Sequence, residues 1–122
     1  MLLAIRDLNH RLAAEGPFDP RFDPPHATLV GGVIRGGTAV NIIPDRCEIG
    51  IALRSIPVQP AEGVTGRVLE RLAPLVPAGK ALAVDHGEIS AYPALPPDGA
   101  GWLADLMTRL TGQAPLGAVS YG

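Results

Sequence analysis

The sequence predicts an α+β fold: a ferredoxin-like two-layer sandwich, with an antiparallel sheet carrying two helices on one face. Three observations point there. Met1, Ile5, Leu8 and Leu12 fall at i, i+4, i+7 and i+11, one stripe of an amphipathic helix. Residues 45–54 alternate, with Cys47, Ile49, Ile51 and Leu53 on one side and Arg46, Glu48, Gly50, Ala52 and Arg54 on the other, which is a half-buried strand with one wet face. Val64, Val68, Leu72 and Val76 repeat every four residues, a second amphipathic helix. The order helix, strand, strand, helix, strand becomes βαββαβ once one strand precedes the first helix. The first strand of that pattern is missing from the sequence.

The elements follow in order. Residues 1–15 form the first helix, which starts with no capping residue ahead of it and reads as if the natural chain begins earlier. Gly16-Pro17 ends it. Phe18 to Pro25, with three prolines and two aspartates, is an extended connector. Ala27 to Ile34 is short and apolar, a strand, and Gly31-Gly32 within it suggests a close backbone approach. Gly36-Gly37 permits a tight turn into the next strand. That strand contains Pro44, which cannot donate to a ladder, so a bulge or an edge position is expected near it. Ser55-Ile56-Pro57 stops the ladder. The second helix begins after Pro60-Ala61-Glu62, and Pro74 terminates or kinks it. Ala81 to Ile89 fits a further strand. The segment from Tyr92 to Gly99 is proline-rich and marks a boundary, giving one unit over 1–90 and another over 91–122. In the second unit Trp102, Leu103, Leu106, Met107 and Leu110 form a third helical stripe, Gly112 sits where a helix C-terminus takes a glycine, and Leu116 to Tyr121 reads as a strand cut short.

Composition narrows the function classes. Apolar residues make up 47% of the 122, enough for a core and against wholesale disorder. A net charge of −2 gives no reason to expect nucleic acid or an anionic membrane as partner. One cysteine excludes a disulfide framework and a multi-cysteine metal cage. No apolar run approaches the roughly 18 residues that span a bilayer. Arg6, Asp7 and Asn9 break the apolar start too early for a secretory signal, so the expected compartment is the cytoplasm.

Few residues offer chemistry. His10, His26 and His86 show no metal-ligand spacing. Asp85-His86-Gly87-Glu88 is the densest cluster, but neighbours on a strand point to opposite faces. His26 reads as a loop histidine and Cys47 as a small core residue. Gly36-Gly37 lies between strands and is no phosphate cradle. No catalytic set and no metal ligand can be assigned. Arg54 and Asn41 remain: a strand-end arginine can fork a carboxylate, and an asparagine amide can steady a carbonyl oxygen. The bland alternatives are a solvated arginine and a turn asparagine.

The run Phe22-Asp23-Pro24-Pro25, Thr28-Leu29, Gly32-Val33-Ile34, Gly36-Gly37-Thr38-Ala39, Asn41-Ile42-Ile43-Pro44-Asp45, Cys47-Glu48, Leu53-Arg54 and Ile56-Pro57 resembles the lid, or dimerisation, domain of the zinc amidohydrolases related to aminoacylase and carboxypeptidase. The resemblance covers most of 1–90. Ala118 to Gly122 is similar to the strand that leads, in this family, into the catalytic domain. The resemblance implies a two-domain hydrolase of N-acyl amino acids, with two zinc ions and a general-base glutamate in the catalytic domain. It implies a homodimer formed through the lid-domain sheet and helices. Arg54 matches the family's arginine on the substrate carboxylate, and Asn41 the asparagine of the Gly-Gly-x-Ala-x-Asn turn lining the pocket. The family's metal ligands, and the histidine that its lid lends to the partner's site, match nothing here, and His26 does not take that histidine's role. The chain is therefore expected to be a fragment that is inactive alone. Two rivals stand beside this: a non-catalytic dimerisation module, and a stand-alone ferredoxin-like domain that binds a small amino acid.

Overall fold

The apolar stripe of the first segment forms helix α1 (Leu2–Glu15), and three of its four stripe residues, Ile5, Leu8 and Leu12, are buried. In the computed structural model the chain is described at residues 1–76, 85–95, 99, 101–115 and 119–120. Helix α1 ends at Gly16, whose φ of +70° suits glycine and whose N–H donates to the Leu12 carbonyl at 3.2 Å. The connector holds a two-residue strand, β1 (Phe22–Asp23). Strands β2 (Thr28–Gly36) and β3 (Cys47–Arg54) pair antiparallel, from Thr28 opposite Arg54 to Gly36 opposite Cys47. Helix α2 (Ala61–Leu72) follows and buries Val64, Val68 and Leu72.

These elements make the two-layer α+β arrangement. Ile5, Leu8, Leu12, Ala27, Leu29, Val64, Val68 and Leu72 form one buried cluster, and Ile49, Ile51 and Leu53 pack against it. Both helices thus lie on the same face of the hairpin, and the alternation read from 49 to 53 is the alternation found. Gln59, 6% exposed, ties three elements together. Its Oε1 accepts the Ala27 N–H at 2.9 Å, and its Nε2 donates to the Gly16 carbonyl at 3.4 Å. The end of α1, the entry to β2 and the turn after β3 are fixed to one another by that side chain.

The connector is closed by an ion pair. The Asp19 side chain is 3% exposed. It accepts hydrogen bonds from Arg21 Nε at 2.8 Å and Nη2 at 2.6 Å, while its own N–H donates to the Pro25 carbonyl at 2.8 Å. The hydrogen bonds from Arg21 hold the Asp19 carboxyl below its ordinary value, against the opposing effect of burial. Folding therefore favours the charged form. The stabilisation is present above the unfolded value of about 3.9 and is lost as pH falls through the lower folded value. Asp19→Asn is expected to melt below wild type at pH 7, with the gap closing on acidification below about pH 4. Thermal melts across a pH series check this; a gap of equal size at pH 3 and pH 7 would contradict it.

The hairpin departs from expectation in five ways. No tight turn follows Gly36: residues 37–46 form a ten-residue loop, with Gly37 at φ +74° and the Ile42 N–H on the Ala39 carbonyl. Pro44 lies in this loop, outside the ladder, because it has no N–H to give. The bulge is not near Pro44. It lies between Gly31 and Val33, where Gly32 is left unpaired. The close backbone approach belongs to Gly36, since a Cβ there would lie 2.9 Å from the Arg46 carbonyl oxygen; a Cβ at Gly31 would make ordinary contact with Leu2, and Gly32 faces open space. Cys47 is exposed, not a core residue. Leu2, at the start of α1, sits over Gly31, so the strands run on past the helix and leave Ile34 54% exposed.

Pro74 acts as expected: α2 stops at Leu72 and a single 3₁₀ turn (Ala73–Leu75) follows. The strand expected over 81–89 lies outside the described residues at 81–84, and residues 85–89 form no strand. Helix α3 (Trp102–Thr111) forms where its stripe predicts and ends at Gly112 with φ +69°. Most of its large apolar side chains are exposed, Trp102 61% and Leu110 72%, while Leu106 is half-buried. The last expected strand is present as β4 (Val119–Ser120); its other positions, 116–118 and 121, lie outside the described residues. It pairs parallel with β1, Phe22 opposite Val119 and Asp23 opposite Ser120, and so ties the end of the chain to the connector.

Candidate functional site

Arg54 is the last residue of β3, opposite Thr28. Leu53 packs on the core, so its neighbour Arg54 stands on the outer face, away from both helices, and it is exposed. The outer face carries Val30 opposite Ala52, Val33 opposite Gly50 and Arg35 opposite Glu48. Small residues on β3 keep it shallow, and Val30 is 55% and Val33 47% exposed. A guanidinium fork on an exposed strand end has the geometry to pair with a carboxylate.

Asn41 lies in the loop at the other end of the hairpin and is exposed. Seven residue steps along β3 separate Arg54 from Cys47, about 23 Å of strand, and Asn41 lies beyond Cys47. The structure does not bring the two predicted residues together. The loop's apolar side chains, Val40 at 109% and Ile43 at 92%, are also exposed. Beside it is an open depression lined by Arg35, Gly36, Gly37, Thr38, Asp45, Arg46 and Glu48. Arg46 pairs with Glu48 there, and the depression's two arginines are matched by two acids. This charge balance gives it no preference for an anion.

The remaining candidates separate. His26 is half-buried beside β2, with Nδ1 3.0 Å from the Ala27 carbonyl oxygen and its ring edge-on to Phe18 at 6.4 Å between centroids. It packs as a connector residue, as the sequence suggests. Asp85, His86 and Glu88 are exposed in irregular chain. Among the described residues no three His, Cys, Asp or Glu side chains are placed to hold a metal ion. The zinc ions implied by the resemblance therefore find no fitting ligand set in the described part of this chain. No described helix is long and apolar enough to cross a membrane.

Three positioning residues escape a reading of spacing. Gln59 and Asp19 are buried polar side chains in proline-rich loops, and nothing in their local pattern announces it. Asn9 looks like a polar break in the helical stripe, yet its Oδ1 accepts the Leu29 N–H at 2.8 Å.

The comparisons with known proteins agree with this geometry. The M20 family described as the peptidase dimerisation domain matches residues 1–80. That range holds α1, the hairpin and α2. Acetylornithine deacetylase of Myxococcus xanthus is 47% identical over 47 residues, which is 38% of this chain and 12% of that enzyme. The chain thus matches a small part of the length of that relative. With two helices backing a β2–β3 hairpin in the matched range, the chain belongs to the M20 peptidase dimerisation-domain family.

Proposed function

We propose that this chain is the dimerisation and substrate-gripping part of a zinc-dependent amidohydrolase that converts an N-acyl amino acid and water to a carboxylate and the free amino acid. The name of the Myxococcus xanthus relative supports N-acetylornithine as the substrate, and hence a step in arginine biosynthesis. The observation that carries the reading is the placement of Arg54: strand-terminal, exposed and on the face the helices leave uncovered, within the family match. There it would bind the substrate carboxylate through two parallel N–H···O bonds and fix which end of the substrate points to the reacting centre. Asn41 would steady a carbonyl oxygen. Because the two residues lie at opposite ends of the hairpin, one copy of this chain does not bring both to a single small substrate; a homodimer through the sheet and helices would let different copies supply them. Residues 91–122 would begin a catalytic domain, with α3's exposed stripe turned to the rest of it. Metal chemistry would come from that domain, so the 122 residues alone would not turn over.

A chimaera tests this. Residues 1–80 replace the corresponding dimerisation domain of the Myxococcus xanthus acetylornithine deacetylase. The expected result is zinc-dependent release of acetate from N-acetylornithine by a dimeric chimaera, and none from the 122-residue chain with added zinc. A dimeric, folded chimaera that binds zinc but does not hydrolyse would remove the substrate-gripping role. Turnover by the chain alone would mean that it holds a complete site.

A further inference from the structure

The bulge in the β2–β3 ladder falls at the boundary between two regions. Gly31 pairs with Ile51 and Val33 with Gly50, so Gly32 is an extra residue on β2. On one side of it lies the covered part of the strand. Ala27 and Leu29 are buried, and a Cβ at Gly31 would lie 3.4 Å from the Leu2 side chain at the start of α1. On the other side every β2 residue from Val33 to Gly36 is exposed, and the chain then enters the 37–46 loop that carries Asn41. Arg54, opposite Thr28, stands on the covered side. The bulge therefore lies between the two residues assigned to the substrate.

Packing does not account for the extra residue. A Cβ at Gly32 would meet nothing within 4 Å, and Gly32 is not in the left-handed backbone region. No buried side chain of β2 lies past it. Leaving Gly32 out would keep every cross-strand pair, from Thr28–Arg54 to Gly36–Cys47, and would send no side chain to the wrong face. What the extra residue adds is bend and twist in β2. Four residue steps separate Gly32 from Gly36, an arm of about 13 Å, and every ~10° of bend swings its far end by about 2 Å. A misplacement of about 1 Å at a reacting centre can cost about a hundredfold in rate.

We propose that Gly32 is a positioning residue: its bulge sets the angle of the outer hairpin against the core and so aims Asn41 at the carbonyl oxygen of the substrate, while leaving Arg54 where it is. The inference rests on the roles proposed above for Asn41 and Arg54, and it adds what fixes one relative to the other. The residue count matters here and the side chain does not, because an added residue bends the strand whatever it carries.

Steady-state kinetics of the chimaera test this, with circular dichroism and sedimentation velocity on each variant. Deletion of Gly32 is expected to lower kcat for N-acetylornithine at least about tenfold, part of the roughly 10²–10³ that removal of an oxyanion donor costs. KM, set by Arg54 on the near side of the bulge, is expected to stay within about threefold. Gly32→Ala keeps the count and points its methyl into open space, so its kcat is expected within about twofold of wild type. Asn41→Ala closes a double-mutant cycle. Adding the deletion to it is expected to slow the enzyme no further, because a bend that acts through Asn41 has nothing left to aim. A deletion that merely weakened the fold would add to the loss. Four outcomes would overturn the aim while leaving Asn41 and Arg54 in their roles: a deletion variant at wild-type kcat where Asn41→Ala is slow, a fall of about tenfold or more in Gly32→Ala, losses that add in the double variant, or a deletion variant that unfolds or no longer dimerises. An Asn41→Ala chimaera as fast as wild type would overturn the reading of Asn41 and the aim with it.

Discussion

Arg54→Ala in the chimaera is expected to lower kcat/KM for N-acetylornithine by roughly 10- to 150-fold. This is the kinetic equivalent of the 1.5–3 kcal/mol carried by a charge-assisted hydrogen bond. Arg54 ends β3 on the outer face, where Leu53 and Ile51 have already claimed the core side. Its loss removes no core contact, so stability should change by less than about 0.5 kcal/mol. A substrate carboxylate left facing an alanine loses a bidentate partner, and the orientation that the fork imposes goes with it. Arg54→Lys keeps the charge without the fork and should fall between wild type and alanine. Kinetics with N-acetylornithine and with its decarboxylated analogue separate the cases. The mutation should cost little with the analogue, which has no carboxylate to grip. Unchanged efficiency in a dimeric Arg54→Ala chimaera would take Arg54 out of the substrate site.

Leu12→Ala is expected to be the most damaging single truncation for the fold, at about 2–5 kcal/mol. Leu12 is 0% exposed and belongs to the cluster that joins α1 to the hairpin and α2. It also sits one turn before Gly16, whose carbonyl receives the Gln59 amide. A cavity there loosens the point at which helix, strand entry and loop meet. Small domains hold about 0.05–0.15 kcal/mol per residue, so the loss is a large share of the total. Leu3→Ala on the same helix is the control, since Leu3 is 66% exposed and should cost under about 0.5 kcal/mol. Urea denaturation of both variants gives the comparison. Equal losses would mean that the packing of α1 differs from the one described.

The sequence is most legible where side-chain period and burial coincide. Ile5, Leu8 and Leu12, then Val64, Val68 and Leu72, announce their helices by spacing alone. Ile49, Ile51 and Leu53 announce their strand the same way. Pro74 and Gly112 mark helix ends because the missing N–H and the left-handed backbone leave few other options. Legibility fails in the hairpin. Gly36-Gly37 has the composition of a tight turn, but Pro44 keeps the residues before Cys47 out of the ladder, and the chain spends ten residues between the strands. Cys47 alternates correctly yet is exposed, because alternation tells the face and not how far the covering helix extends. The bulge falls at Gly32 and not at Pro44, and spacing misses it for a related reason: a glycine facing open space and a glycine in close contact look identical in a sequence.

The candidate site is legible in identity rather than in arrangement. Arg54 and Asn41 stand out through their motif, but the length of the hairpin keeps them apart, and that length depends on where the ladder opens. Asn9, Asp19 and Gln59 act on backbone groups distant in the chain or inside proline-rich loops, so no period exposes them. The metal ligands expected of the family have no counterpart among the described residues, and the function proposed is that of one part of a larger machine.

A crystal structure of the chimaera with a non-hydrolysable N-acyl amino acid analogue tests the substrate-gripping role most directly. The expected result is a two-fold dimer through this domain, with both terminal nitrogens of Arg54 within about 3 Å of the analogue's carboxylate oxygens. An analogue bound at the metals with its carboxylate held by other residues, and Arg54 turned to solvent, would contradict it.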